Sequence, residues 1–405
     1  MLTGVNVALG VTGSIAAVRT VELAHELRRR GASVRAVMTE SAQGIVHPWA
    51  VAFGTENDVI TEITGDVEHV ELCGRDGWAD VLLIAPSTAN TVGKLAAAID
   101  DSPVTTCATT AFGAGVPIVI APAMHEPMYD HPGVLDALDR LENWGVTFAD
   151  PRIEEGKAKV ATEDAIALAV ARAVRADRNE DHLAGERVVV TAGATAEPID
   201  PVRVLTNRSS GKMGRAVARA CYVAGADVSL VHGQVGPHSL SGSGIDTRSD
   251  DPNVPYAKLM EVEDSEAMLA AIEAEIENAD ALVSAAAIGD YTTDEHAEKL
   301  RSGQELSLDL EPTPKLIDGA REARPDLPIV GFKTETSGDD DAMTEAARGI
   351  MDRADLSFVV ANDAEVMGAD DTRALFVDGT DVTEHRGTKA DVAAAVAERL
   401  AAVLQ

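Results

Sequence analysis

Short apolar runs recur along this chain, separated by segments with helical spacing. That alternation predicts parallel strands joined by helices. Val5 to Val11, Ser33 to Met38, Val81 to Ala85 and Pro117 to Ala121 are the strands of a first series. Ile15 to Arg30 reads as a helix ended by Gly31, and Asp164 to Ala176 as an alanine-rich helix that closes the series. The charged run Asp177 to His182 reads as a linker, and the pattern restarts at Arg187. Val188 to Thr191, Asp227 to His232, Ala281 to Ala286, Pro328 to Phe332 and Leu356 to Ala361 are strands of a second series. Met213 to Ala224, Ser265 to Asn278 and Asp391 to Leu404 are its helices. The polar stretches Gly233 to Lys258, Tyr291 to Ser307 and Thr334 to Asp341 read as surface excursions. The expected architecture is two doubly wound, Rossmann-like α/β domains at 1–176 and 187–405, with a linker at 177–186.

Composition narrows what these domains meet. Acidic residues number 67 against 34 basic ones, a net charge of −33, which argues against nucleic acid as a partner. The acidic excess, the nine lysines and the 3% aromatic content point to a cytoplasmic protein from an organism that accumulates salt, such as a halophilic archaeon. At molar salt, charges are screened over about 3 Å, so self-repulsion of such a surface is tolerable. No window reaches the roughly 18 uninterrupted apolar residues of a membrane span. The N-terminal residues lack the features of a signal peptide, so a cytoplasmic protein without a membrane partner is expected. Cys73, Cys107 and Cys221 are scattered without metal-type spacing, which fits a reducing compartment.

Candidate chemistry lies at two strand-to-helix turns. Gly10 to Ala17 follows the first strand, where glycines admit a phosphate and the coming helix N-terminus favours an anion. Gly13 and Ser14 are the candidate contacts, with Thr39 and Ser41 after the second strand offering hydroxyls to more phosphate oxygens. Ala85 to Thr91, including Pro86, Ser87 and Asn90, follows a third strand at its carboxyl end, where ligands bind in open α/β sheets. In the second series, Ala192 to Arg203 and Thr206 to Gly214 form a long polar loop between a buried strand and a Gly-rich helix start. Gly193, Ser210, Gly211 and Lys212 can hold phosphate there through backbone N–H groups and a lysine. Two nucleotide-type sites on one chain suggest two consecutive reactions.

Several of these segments also carry a resemblance. Gly13-Ser14-Ile15-Ala16-Ala17, Glu68-His69-Val70-Glu71-Leu72, Ala85 to Thr91 and Pro122-Ala123-Met124-His125-Glu126-Pro127-Met128-Tyr129 occur in the order found in flavin-dependent cysteine decarboxylases. With the motif after Val188 to Val190, the whole chain resembles the bifunctional coenzyme A biosynthesis family. Members join a phosphopantothenoylcysteine decarboxylase to a phosphopantothenate–cysteine ligase. The resemblance implies a flavodoxin-like N-terminal domain with bound FMN and a C-terminal nucleotide-binding ligase domain. The flavin would oxidise the cysteinyl thiol to a thioaldehyde, an electron sink that lets the carboxylate leave, and would then reduce the enethiol. His69 matches the catalytic histidine, suited to proton transfer near neutral pH. Met124 and His125 match the substrate-carboxylate motif, with His125 standing where bacterial members have asparagine. The flap region, Arg152 to Val160, lacks the cysteine of those members, and Lys157 or Lys159 is the candidate to supply a proton or hold the substrate phosphate.

For the ligase, the resemblance implies activation of the carboxylate as an acyl-nucleotide from CTP, with ATP as the alternative, and Mg²⁺ with the triphosphate. Arg203 and Asn207 match substrate and acyl-nucleotide positions, and Lys299 matches the lysine that stabilises developing phosphate charge. Ser284, Ala285, Ala286 and Asp290 resemble the nucleotide-binding strand end, and Pro314, Lys315, Leu316, Ile317 and Phe332 match further nucleotide contacts. The lysine pair that bacterial members place after the Gly-Phe motif is replaced by Arg348 and Arg353 as candidates. The implied partners are 4′-phosphopantothenate, cysteine, CTP and further copies of the chain, as flavin-domain trimers, dodecamers and ligase-domain dimers. Two other readings compete: an FMN-binding regulatory flavoprotein without decarboxylase activity, and a flavin prenyltransferase, which leaves the second half unexplained.

Overall fold

The computed structural model describes residues 1–149, 151–154, 157–233, 245–248, 254–301, 303, 305–335, 340–363, 371–379 and 381–405. The chain divides into two compact units, Met1–Glu180 and Asp181–Gln405.

In the first unit, β1 (Asn6–Val11) leads through a 3-10 turn, Ile15–Arg19, into α1 (Thr20–Arg29). β2 (Ser33–Met38) precedes α2 (Glu40–Gln43), α3 (Pro48–Thr55) and α4 (Glu68–Cys73). β3 (Val81–Ser87) precedes α5 (Ala89–Ala96) and α6 (Pro103–Ala114). β4 (Ile118–Pro122) is followed by the short β5 (Met124–His125), then α7 (Glu126–Tyr129) and α8 (Pro132–Asn143). β6 (Thr147–Phe148), β7 (Arg152–Glu154), β8 (Lys157–Lys159) and α9 (Glu163–Asp177) complete it.

The five parallel strands stand in the order β2-β1-β3-β4-β6, so the order reverses between β1 and β3. The helices after these two strands leave on opposite faces, which opens a crevice at the carboxyl ends. β3 is buried along its whole length, and Leu82, Ile84, Ile118 and Ile120 pack with Leu95, Val104 and Leu141 of the covering helices. The expected helix from Ile15 begins as a 3-10 turn, because the Ala17 N–H closes on the Ser14 carbonyl three residues back.

In the second unit, β9 (Arg187–Gly193) is followed by the antiparallel pair β10 (Ala196–Asp200) and β11 (Arg203–Thr206), then α10 (Lys212–Val223). Next come β12 (Asp227–Gly233), β13 (Ile245–Arg248), β14 (Lys258–Val262), α11 (Ser265–Ile276) and β15 (Ala281–Ser284). The pair β16 (Tyr291–Thr292) and β17 (Glu311–Pro312) precedes α12 (Leu316–Ala323) and β18 (Ile329–Glu335). Then follow α13 (Asp340–Ala354), β19 (Phe358–Asp363), the antiparallel β20 (Asp371–Asp378) and β21 (Asp381–Thr388), and α14 (Lys389–Leu404).

The nine-stranded sheet runs β13-β14-β12-β9-β15-β18-β19-β20-β21, parallel from β14 to β19 and antiparallel at both edges. Two expectations are corrected. The polar loop after β9 holds the β10–β11 pair, and the excursion from Gly233 holds β13 and ends in β14; β20 and β21 are further strands that the apolar pattern did not mark. Edge strands and two-stranded ribbons have one face or one side in water, so their sequences look like loops. Within the three excursions, residues 234–244, 249–253, 302, 304 and 336–339 lie outside the described residues.

Candidate functional site

In the first unit the segments that follow β1, β2, β3 and β4 meet at the carboxyl ends of those strands. Thr12 Oγ1 donates to the Pro86 carbonyl at 2.8 Å, which ties the loop after β1 to the end of β3. Ser14 caps the 3-10 turn and its Oγ donates to the Ala123 carbonyl at 3.3 Å, next to Met124. The Ala123 N–H donates to the Ser87 carbonyl at 2.9 Å. Thr39 caps α2 and its Oγ1 lies 3.1 Å from Ser41 Oγ. A Cβ on Gly13 would collide with Ser41 Oγ, so the absence of a side chain lets these two loops touch. Thr88 caps α5, whose first turn leaves Asn90 exposed beside the crevice mouth. The Ser87 hydroxyl is fully buried and has no hydrogen-bond partner, an unmet polar atom at the end of the central strand.

β5, β8 and β7 form a small antiparallel sheet in which His125 stands opposite Lys157 and Met124 opposite Ala158. β8 is thus paired directly to the Pro122–Tyr129 segment. His125 is exposed at the start of α7. Residues 155–156 and the side chains of 152–158, that of Lys157 included, lie outside the described residues. His69 sits in the first turn of α4, which packs on α6, and its buried Nδ1 has no partner. No hydrogen bond among the described residues joins His69 to the Ser14–Ser87 cluster. All three cysteines are buried; the Cys73 thiol, beside Cys107, is pushed up, and burial pushes Cys221 up to about 12. Neither Cys73 nor Cys221 is a ready thiolate.

In the second unit the ends of β9 and β15 are laced together. The Ala287 N–H donates to the Gly193 carbonyl at 2.8 Å, and the Ala285 and Ala286 N–H groups both donate to buried Thr191 Oγ1 at 3.1 Å. Asn207 Nδ2 donates to the Ala287 carbonyl at 2.6 Å and its Oδ1 accepts from the Ser209 N–H at 3.0 Å. Four glycines make the close approach possible. A Cβ on Gly193 would collide with the Gly233 carbonyl and one on Gly233 with the Ala194 carbonyl. A Cβ on Gly214 would lie 2.5 Å from Ala192 Cβ, and Gly211, with φ +69°, caps α10. That cradle leaves the first amides of α10 without intrahelical acceptors. Ser210 and Lys212 are exposed at its rim.

A charged latch flanks the cradle. Arg203 Nε donates to Asp200 Oδ2 at 2.9 Å, its Nη2 also reaches that carboxylate, and Nη2 donates to the Leu300 carbonyl at 2.7 Å. The Leu300 N–H returns a bond to Asp200 Oδ2 at 3.0 Å. The latch carries Lys299, exposed, to the β10–β11 pair across nearly a hundred residues of sequence. The Arg203 guanidinium holds the Asp200 carboxyl far below the usual carboxylate range. Glu197, 3% exposed, accepts from the Ser265 N–H at 3.1 Å at the N-terminus of α11, and burial pushes its carboxyl upward. Asp290 and Lys315 form an exposed pair at 3.1 Å.

The family model described as Flavoprotein matches residues 1–175, and the model described as DNA/pantothenate metabolism flavoprotein C-terminal domain matches residues 183–404. The coenzyme A biosynthesis bifunctional protein CoaBC of Thermococcus kodakarensis is 47% identical, over 93% of this chain and 89% of its own. The same-named protein of Methanocaldococcus jannaschii is 33% identical, over 99% of this chain and 94% of its own. The chain belongs to the coenzyme A biosynthesis bifunctional protein family. A solved structure of the FMN-dependent cysteine decarboxylase SpaF is 30% identical, covering 42% of this chain and 99% of that one, with a TM-score of 0.37.

As a member of the bifunctional family, the chain places most of its motif residues at strand ends, and a few elsewhere. Ser284 is buried at the end of β15, whereas Phe332 is half-buried in the middle of β18, beside Lys333. Pro314 and Lys315 lie just before α12, whereas Leu316 turns into the core and Ile317 packs against it, so these two are held by packing. Arg348 and Arg353 are corrected as candidates. Arg348 donates to the carbonyl of Gly379, beyond the end of β20 that pairs with the start of β19, and Arg353 pairs with Asp318 at 2.7 Å. α13 runs from the carboxyl end of β18 back to the start of β19, so its middle and last turns lie toward the amino ends of these strands. Asp200, Glu197 and Thr191 went unnoticed in the sequence, although Asp200 lies three residues before Arg203 in the same motif. The described residues contain no cluster of three or more His, Cys, Asp or Glu side chains that would cage a metal.

Proposed function

We propose that the chain joins cysteine to 4′-phosphopantothenate in its second unit and decarboxylates 4′-phosphopantothenoylcysteine to 4′-phosphopantetheine in its first. The observation that carries this reading is that each unit gathers most of its motif residues in a cleft at the carboxyl ends of its own parallel strands.

The first cleft fits FMN. The unmet Ser87 hydroxyl, the Gly13–Ser41 contact and the caps Ser14 and Thr39 supply donors and room for a phosphate at the switch point. Bound FMN supplies the two-electron chemistry that makes loss of carbon dioxide from the cysteinyl group accessible. His125 donates to the substrate carboxylate from its exposed position, and the flap strand opposite it brings Lys157, or its neighbour Lys159, to the same end. His69 holds and moves a proton.

In the second cleft, the cradle of α10 and Lys212 take the triphosphate, and Lys299 and Arg203 offset charge as pyrophosphate leaves. Asn207 holds the reacting acyl group against the β15 end. Ser284, Ala285, Ala286, Asp290, Pro314, Lys315 and Phe332 surround the base and ribose of CTP. Mg²⁺ enters with the nucleotide, held mainly by phosphate oxygens, as this ion commonly is.

Purified protein given FMN, CTP, Mg²⁺, cysteine and 4′-phosphopantothenate is expected to yield phosphopantetheine, carbon dioxide, CMP and pyrophosphate, read by mass spectrometry. Accumulation of phosphopantothenoylcysteine would overturn the decarboxylase half and favour a flavoprotein without that activity. No helix of the described residues is long and apolar enough to cross a membrane. With its net charge of −33, the protein works in a salty cytoplasm, and its unfolding midpoint rises with potassium chloride; a falling midpoint refutes that. It assembles through the flavin unit as a trimer-based homo-oligomer, with the ligase units paired; a monomer in light scattering refutes that.

A further inference from the structure

His232 breaks the packing pattern of β12. Val228 and Leu230 precede it on the same face of the strand, and both are buried apolar residues. Its register partner on β9 is Ala192, whose methyl meets Gly214 of α10, so this face of the sheet lies under that helix. His232 is 6% exposed. An apolar side chain would serve packing there, and a buried imidazole needs partners.

It has one. Arg215 Nε, on the second turn of α10, donates to His232 Nε2 at 3.0 Å. An accepting Nε2 fixes the proton of the neutral ring on Nδ1. Burial, and then the nearby Arg215 charge, push the imidazole down to about 4, so the ring is neutral at ordinary pH. The buried Nδ1–H has no partner in hydrogen-bond geometry; the neighbouring Gly233 backbone favours the protonated ring, but less than burial and the Arg215 charge oppose it.

The ring forms the floor of the glycine cradle. A Cβ on Gly211 would lie 2.8 Å from His232 Nε2, and one on Gly193 would lie 3.0 Å from Cε1, the carbon bonded to Nδ1. The unmet donor therefore sits where the end of β9 meets the N-terminus of α10, which favours an anion. Arg215 makes no further hydrogen bond among the described residues, so its Nη groups remain available to a second oxygen.

We propose that His232 and Arg215 form a phosphoryl-binding floor under the N-terminus of α10, with His232 Nδ1–H donating to an oxygen of the bound group. The inference deepens the ligase reading and rests on it. Two phosphoryl sources reach that unit, the nucleotide triphosphate and the 4′-phosphate of the acid substrate.

The full chain carries the test. Calorimetry with inorganic phosphate and pyrophosphate is expected to show a Kd about 10-fold or more higher for His232→Leu than for the natural chain, the share of one charge-assisted hydrogen bond. Arg215→Gln is expected to weaken binding similarly, and it carries the test if His232→Leu does not fold. Steady-state kinetics then assign the source: the KM for either CTP or phosphopantothenate rises, while that for cysteine stays put. Unchanged anion affinity in the folded variants overturns the proposal, as does a natural chain that binds neither anion. Failure of the natural chain to release pyrophosphate from CTP would remove the ligase reading instead, and the calorimetric comparison would still read the floor.

Discussion

The two clefts sit at the same end of similar sheets, yet they are held in different ways. In the first, neutral hydroxyls bridge neighbouring loops, Thr12 to Pro86 and Ser14 to Ala123, and Gly13 lets the loop after β1 touch Ser41. In the second, four glycines let backbones touch, and the Asp200–Arg203 latch and the Asp290–Lys315 pair bring charge to the rim. A cleft for a polyphosphate needs close backbone approach and cations. A cleft for a flavin needs a shaped crevice with a few directed polar groups. Each also keeps an unmet buried atom, Ser87 Oγ in one and His232 Nδ1 in the other.

The comparison is broken most severely by a methyl group. Gly193→Ala adds a Cβ against the Gly233 carbonyl at φ +82°, where L side chains are strained. It is expected to reduce pyrophosphate release by on the order of 100-fold through displaced backbone, while decarboxylation of added phosphopantothenoylcysteine persists. Gly13→Ala presses on Ser41 and is expected to do the reverse, lowering flavin content seen in the visible spectrum and sparing the ligase. Loss of both activities in either variant would show that the clefts are not independent.

Acid separates the units next. Burial, and then the Arg215 charge, push the His232 imidazole of the folded chain from its ordinary 6.5 down to about 4. Its contribution is therefore fully present above about 6.5 and is lost as pH falls toward 4, because the unfolded chain takes up the proton first. The loss amounts to about 3 kcal/mol. Urea unfolding followed between pH 7 and 4 should show this fall, and His232→Leu should flatten it. An unaltered slope in the variant would mean that the ring is not held neutral by its surroundings.

The smallest effect is expected at Asp290. Its pair with Lys315 is more than half exposed on both sides, and such pairs contribute little. Asp290→Asn should leave the thermal midpoint nearly unchanged and raise the KM for CTP. A change in stability with an unchanged KM would move Asp290 from the site to the scaffold.

The sequence itself determined the parallel cores. β2 spans the residues that the apolar run marks, and β1, β3, β4, β9 and β12 differ by one or two residues at an end. Strands buried on both faces must be apolar throughout, so they are legible without neighbours. The family motifs were legible for a related reason: a glycine that must touch backbone, or a serine that must cap a turn, cannot vary freely. β10, β11, β13, β20 and β21 were hidden, since edge and ribbon strands carry polar residues on their wet side.

Only the tertiary structure decided which motifs meet. It placed His125 opposite Lys157, brought Lys299 beside Arg203 through the Asp200–Leu300 bonds, and engaged Arg348 with the Gly379 carbonyl and Arg353 with Asp318. It also set a histidine beneath the glycine cradle where strand alternation called for an apolar residue. Local pattern records burial and turns, because those act on each residue where it stands. Contact between distant residues depends on strand order and helix direction, and these are settled only when the sheet assembles.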